Sequence, residues 1–247
     1  MNIVITGAGN KNNFASYIAK ELKKQSSENF IIALNHPGNL NRGRMENIID
    51  NEIACDLSKP DQIINATSII NSKYQVDIFI HAAGISDICW FQTLRPSRLD
   101  EVMQVNFTSS ILITYMLQEN LTRNKGTVFN VVSVADRIPM RCSLAYNCSK
   151  AALNMATQQL ARELSDRNIT VFGISPTQIA NTDMTKRNDE EIPKIRRWSE
   201  KEFEHHKYST ITGKLIDPQI CAEYIAFLLS KKSRHEMFSG TIIQYGN

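Results

Sequence analysis

The run Asn2-Ile-Val-Ile-Thr6-Gly7-Ala-Gly-Asn-Lys11-Asn-Asn-Phe14-Ala15 decides the architecture of this chain. A short β-branched stretch reaches a glycine turn, and Ile18-Ala19-Lys20-Glu21-Leu22 behind it carries a helical pattern. This reads as a strand feeding a helix. Outward from that unit the alternation continues. Apolar runs at 30–34, 52–55, 76–82, 127–132, 170–174 and 241–244 are separated by longer helical patterns. Several of these runs are apolar on both faces, as buried parallel strands are. Strand–helix alternation of this length predicts an α/β protein, a doubly wound parallel sheet of about seven strands in three layers.

Composition bounds the rest. The 247 residues, 42% of them hydrophobic, suffice for one sizeable domain spanning 1–247. A net charge of +3 implies no strong attraction to nucleic acid or to membrane surfaces. Five cysteines (Cys55, Cys89, Cys142, Cys148 and Cys221) form no C-x-x-C pair and read as reduced, packed thiols. With no leader, cleavage site or membrane-length apolar run, the expectation is a cytoplasmic protein. His205-His206 suggests a metal only superficially. Adjacent helix positions diverge by ~100° and no third ligand is evident, so no metal site is expected.

The stretch that carries chemistry is Ser133-Val-Ala-Asp-Arg-Ile-Pro-Met-Arg-Cys-Ser-Leu-Ala-Tyr146-Asn-Cys-Ser-Lys150. Ser133 closes a buried strand. A helix then opens with Tyr146 and Lys150 on one face. A phenol titrates near ~10 in water, and a nearby ammonium is expected to lower that value. Such a tyrosine can give a proton to a carbonyl oxygen or take one from an alcohol, while a serine holds the same oxygen. Tyrosine and lysine at this spacing are also common on solvated helix faces. The serine at a strand end and the N-terminal turn weigh against that bland reading.

On these residues the chain resembles the short-chain dehydrogenase/reductase family, and the likeness runs over essentially its whole length. The resemblance implies a Rossmann-type fold, a nicotinamide dinucleotide, and hydride transfer between nicotinamide C4 and a carbonyl or secondary alcohol. It implies that Tyr146 is the general acid or base. Lys150 would lower its pKa and bind the nicotinamide ribose, and Ser133 would orient the carbonyl oxygen. Asn106, in Val105-Asn106-Phe107, would distort its helix and hold a proton-relaying water.

The cofactor contacts follow from the same resemblance. Backbone N–H groups of the first turn and the helix behind it can hold a pyrophosphate. Gly7 fits the family's T-G-x-x-x-G-x-G pattern, but Lys11 and Asn13 replace its second and third glycines. In this the turn is more similar to the enoyl reductase branch. Gly7, Lys11 and Phe14 are the contacts expected there. Asn10, Asn12 and Asn13 tolerate positive φ, which permits a tight turn. No acidic residue follows Asn35 at the end of the second strand. Arg42 and Arg44, with Lys11, lean towards a 2′-phosphate, hence NADP(H) over NAD(H); as solvated loop charges they would carry no such meaning. Asp56-Leu57 resembles the adenine-contacting pair and also reads as an ordinary helix N-cap. His81-Ala82-Ala83-Gly84 resembles N-A-A-G, with His81 as a structural hydrogen-bonding variant. Pro176, Ile179 and Thr182 resemble the P-G-x-I-x-T-x-M loop beside the nicotinamide, although Thr177 replaces the glycine and the threonine comes one residue late.

Residues 185–212 read as a mobile helical lid. Within it Lys194, Arg196 and Arg197 read as a solvated face, with attraction of an anionic substrate as the alternative. Arg137, Met140 and Arg141 would suit an anionic or amphipathic substrate, or equally be surface residues. Together these point to an NADPH-dependent ketone reductase of 3-oxoacyl-like substrates. It would act on a small-molecule carbonyl or alcohol, and the resemblance implies a homodimer or homotetramer through the helices carrying Asn106 and Tyr146. The competing readings are a non-catalytic dinucleotide-binding regulator, a sugar-nucleotide epimerase and an enoyl reductase.

Overall fold

The computed structural model describes residues 1–40, 48–207, 210–231 and 235–246. Seven strands form one parallel sheet: β1 (Asn2–Thr6), β2 (Phe30–Asn35), β3 (Asn51–Ala54), β4 (Ile78–His81), β5 (Thr127–Val131), β6 (Thr170–Pro176) and β7 (Ile242–Tyr245). Their order is β3-β2-β1-β4-β5-β6-β7, all parallel. The strand-to-strand reversal between β1 and β4 is where open α/β sheets place their ligands.

The described residues include eight α-helices: α1 (Phe14–Gln25), α2 (Pro60–Lys73), α3 (Pro96–Met103), α4 (Ser109–Asn124), α5 (Leu144–Glu163), α6 (Asp183–Arg196), α7 (Glu200–Lys207) and α8 (Pro218–Leu229). The period-two pleat divides the apolar residues between two cores. Ile3 and Ile5 point to one side with Phe129 and Phe172, where Ile18 and Leu22 of α1 meet Ile225 and Leu229 of α8. Val4 and Phe79 point to the other, against Ile63 and Ile70 of α2 and Leu117 of α4. Prolines at the first helical position start α2, α3 and α8, where a missing N–H costs nothing.

The expected strands occur with shifted ends. The fourth begins at Ile78 and not at 76, because the Val76 N–H is taken by Asn120 Oδ1 at 2.8 Å. The sixth runs on to Pro176. The helix around Asn106 is distorted, as the resemblance implied. A π-helical turn, Gln104–Thr108, separates α3 from α4. No helix among the described residues is long and apolar enough to cross a membrane.

Phe129 and Phe172 meet edge to face, 4.9 Å between centroids, at the centre of the first core. Phe129→Ala is expected to cost about 3–5 kcal/mol, as deletions of buried aromatic rings do. Urea unfolding would register it as a lower midpoint at unchanged slope.

Candidate active site

The carboxyl ends of the parallel strands open into a cleft of about 480 Å³. At its β1 end, Gly7 has φ +82°, and a Cβ there would lie 2.9 Å from the Cα of Ala83. The backbone after β1 and the backbone after β4 therefore touch, which only glycine allows. Lys11 and Asn13 do not loosen this turn. Its asparagines, which could tolerate positive φ, do not use that freedom. Side-chain hydrogen bonds replace the missing glycines. Asn13 Nδ2 donates to Gly7 O (3.1 Å), Asn10 Oδ1 accepts from Asn12 N (3.2 Å) and Ser16 Oγ donates to Asn10 O (2.7 Å). Asn13 starts α1 without a side-chain cap, so the helix's first N–H groups face the cleft with Phe14 and Ala15. That is an anion site of the kind a pyrophosphate fits.

The end of the cleft beside β2 and β3 is lined by Asn35, His36, Asp56 and Leu57. Asn35 Nδ2 donates to Glu52 Oε1 at 2.7 Å. Asp56 Oδ1 accepts from Ser58 N at 2.9 Å, an Asx turn ahead of α2. Lys11 is exposed and lies outside the cleft lining, so the structure does not bring it to the site. Arg42 and Arg44 lie outside the described residues.

Ala82, Ala83 and Gly84 form the floor. Thr6 Oγ1 accepts from the N–H groups of Ala82 (3.1 Å) and Ala83 (3.0 Å). A Cβ on Gly84 would sit 3.5 Å from Asn106 Oδ1 and 3.7 Å from Lys150 Nζ. His81, fully buried, lies 3.2 Å from Thr6 Oγ1 through Nδ1 and 3.3 Å from Asn106 O through Nε2. Burial and the nearby Lys150 charge push its pKa down to about 3. It is a neutral structural bridge. Asn106 itself stands behind the floor. Its Oδ1 accepts from Ile85 N (2.8 Å), and its Nδ2 donates to Ile85 O and Ser149 Oγ (both 2.9 Å).

Ser133, Tyr146 and Lys150 meet at the far end of the cleft. Lys150, 4% exposed, donates from Nζ to Val131 O at 2.8 Å and lies 5.9 Å from the Tyr146 ring centroid. Burial pulls its pKa down to about 8, with Asp136 working the other way. Ser133 Oγ accepts from Ala135 N at 3.2 Å and lines the cleft with the Tyr146 phenol. The expectation that the phenol is shifted down is corrected here. Burial holds it above its ordinary value, and only the Ser133 hydroxyl opposes this. Lys150 spends its hydrogen bond on Val131, behind the phenol. The chain after β6 completes the wall with Pro176, Ile179 and Thr182. The Thr182 hydroxyl is engaged locally, accepting from Thr185 N (3.1 Å) and donating to Thr185 Oγ1 (2.9 Å) as the cap of α6.

Sequence reasoning missed Gly9, where a Cβ would lie 3.0 Å from Asn35 Cγ, and the role of Asn10, whose Nδ2 donates to Asp183 Oδ2 at 2.7 Å. The Asn-rich turn carried the signal for the second. Helix α6 is tied across the cleft by that bond, by Ser86 Oγ to Asn188 Oδ1 (2.9 Å) and by Trp90 Nε1 to Ile195 O (3.0 Å).

The family model described as short chain dehydrogenase matches residues 1–193. A 3-oxoacyl-[acyl-carrier-protein] reductase of Aquifex aeolicus is 32% identical over 166 residues, 66% of this chain and 62% of that protein. Among solved structures, a 3-ketoacyl-(acyl-carrier-protein) reductase of Brucella melitensis complexed with NADH superposes with TM-score 0.82 at 24% identity, covering 100% and 97% of the two chains. The L-sorbose reductase of Gluconobacter frateurii, complexed with NADPH and L-sorbose, gives 0.84 at 20% identity, covering 100% and 95%.

His81 gives a test of the buried floor. Its folded pKa lies below its unfolded one, so between about 3 and 6.5 the unfolded chain binds more protons there. Stability therefore falls as pH drops through that window, by at most about 1.4 kcal/mol per pH unit from this group. His81→Asn should remove that part of the slope in urea titrations between pH 4 and 7. An unchanged slope would mean that His81 is not held neutral.

Proposed function

The chain belongs to the short-chain dehydrogenase family, an oxidoreductase acting on alcohol or ketone groups with a nicotinamide dinucleotide, and on that premise we propose that it is an NADPH-dependent reductase of ketones, 3-oxoacyl-like in shape. The observation that carries this reading is the meeting of Ser133, Tyr146 and Lys150 in one cleft with the uncapped start of α1. The bound dinucleotide supplies the hydride. Gly7 and the α1 N-terminus hold its pyrophosphate, and the Ala82–Gly84 backbone allows close approach of a ribose. The substrate carbonyl oxygen lies between the Ser133 hydroxyl and the Tyr146 phenol. Tyr146, held protonated by burial, gives its proton to that oxygen as negative charge develops. Lys150 is the cation that stabilises the resulting phenolate and binds the nicotinamide ribose. Asn106 fixes the Ile85 backbone and Ser149, and so fixes the floor behind Lys150.

The preference for a 2′-phosphate rests on the neutral end of β2, where Asn35 and His36 stand and the nearby Glu52 already accepts from Asn35, and on Arg42 and Arg44 in the sequence. Two relatives named above, reductases of carrier-linked oxoacyl groups, support the substrate shape. A homodimer or homotetramer through α4 and α5 fits the exposed Tyr115 on one helix and Met155 on the other.

Three measurements check this. Fluorescence titration should give tighter binding of NADPH than of NADH, lost selectively in Arg42→Ala/Arg44→Ala; equal binding of both would remove the NADP assignment. Tyr146→Phe should lower kcat about 10²–10⁴-fold, the usual worth of a general acid, with NADPH binding retained. Reduction needs Lys150 charged, and its pKa is about 8, so kcat/KM should fall as pH rises through about 8. A profile flat to pH 9.5 would exclude that role for Lys150.

A further inference from the structure

Helix α6 turns Met184, Asn188, Ile192 and Arg196 into the cleft, four residues apart on one face. Lys194 and Arg197, beside Arg196 in sequence, are exposed. The basic run is therefore not a uniform solvated face; one of its three cations is turned inward. A helix C-terminus favours cations through its dipole. Lys194 and Arg197 already serve that end from solvent, so the dipole does not account for Arg196 facing the cleft.

Arg196 is held in place. Its Nη2 donates to Arg141 O, and its guanidinium lies 4.6 Å from the Trp198 ring centroid. Trp90 Nε1 pins the neighbouring Ile195 carbonyl, and Arg141 stacks on Trp90 at 5.1 Å. Among the described residues no carboxylate lies within ion-pairing distance of Arg196. Its Nε is buried without a hydrogen-bond partner. Cys142 and Arg141 act on it through space, in opposite senses, and His206, lowered first by burial, is lowered further by Arg196. A half-buried guanidinium among like charges calls for an anion, and its planar fork matches a carboxylate.

Arg196 is tied to Arg141, in the loop that runs through Cys142 and Ser143 into α5 and Tyr146. Met140 and Ser143 of that loop line the same cleft. The guanidinium and the Tyr146 phenol thus line one cleft, from α6 and from α5.

We propose that Arg196 selects a substrate bearing a carboxylate, so that the cleft takes a short oxo acid with its carboxylate on Arg196 and its carbonyl at Ser133 and Tyr146. This rests on the reductase reading above. The carbonyl carbon takes the hydride of the reduced nicotinamide and its oxygen takes the Tyr146 proton. The products are the hydroxy acid and the oxidised dinucleotide, and the carboxylate is unchanged. A carrier-linked oxoacyl group, whose charges are remote from its carbonyl, makes no use of Arg196.

The test compares acetoacetate and levulinate with their methyl esters, using the NADPH-loaded enzyme, its Arg196→Met and its Arg196→Lys variants. For the wild type, kcat/KM should favour at least one acid over its ester by about tenfold or more, roughly the worth of one charge-assisted pair, and through KM. Arg196→Met should bring the ratio to about one. Arg196→Lys should keep part of it. Because the readout is a ratio within each protein, a general loss of activity cancels, and the wild-type ratio stands even if a variant does not fold. If turnover is too slow, the same ratio is read from displacement of NADPH fluorescence. Equal use of acid and ester by the wild type overturns the proposal. So does preference for acetoacetyl thioester over acetoacetate that survives Arg196→Met. Failure of the wild type to bind NADPH would instead overturn the reductase reading beneath it.

Discussion

One amide side chain ties the active end of this molecule together. Asn106 accepts from and donates to the backbone of Ile85, donates to Ser149 on α5, and offers its own carbonyl to His81 at the end of β4. Fully buried, it must satisfy all its polar atoms within the protein. A regular α-helix would point this residue elsewhere along its axis. The π turn over Gln104–Thr108 brings both the amide and the main-chain carbonyl into play. The strand end, the helix pair and the catalytic helix are therefore registered against one another before any ligand arrives.

That registration sets the electrostatics. With His81 kept neutral and Lys150 bonded to Val131 O, the floor holds a single dry ammonium. Burial of Tyr146 favours its protonated form, which suits donation to a carbonyl oxygen. The same burial that raises the phenol lowers the lysine. The two protonation states that the proposed reduction would call for thus coexist over the neutral range, each for a physical reason.

Much of this was legible in the sequence. The β-branched runs and their spacing indicated a parallel seven-stranded sheet, and Ser133, Tyr146 and Lys150 stand together as their pattern implied. The misjudged parts depend on side-chain direction. Asparagines in the first turn, which could have acted through backbone freedom, act through their amides. Lys11 points away, because its position in the turn faces solvent. Lys150 was expected to depress the phenol, which ignored the cost of removing both groups from water. The inward turn of Arg196 alone among three basic neighbours follows from the register of α6 on the sheet, which periodicity cannot supply. Strand ends moved where a side chain took a backbone partner, as Asn120 does at Val76.

The pairing of α1 with α8 has a consequence for how the chain is made. Ile18, Ala19 and Leu22 leave the ribosome long before Ala222, Ile225 and Leu229, which cover them. The sheet can extend strand by strand from β1 as synthesis proceeds, but one face of its first half stays greasy and open throughout. Gln219, whose Nε2 donates to Glu21 Oε1 at 2.5 Å, joins α8 to α1. A nascent chain of this topology is stickiest just before α8 leaves the tunnel, and that is when a holding chaperone would have most to protect.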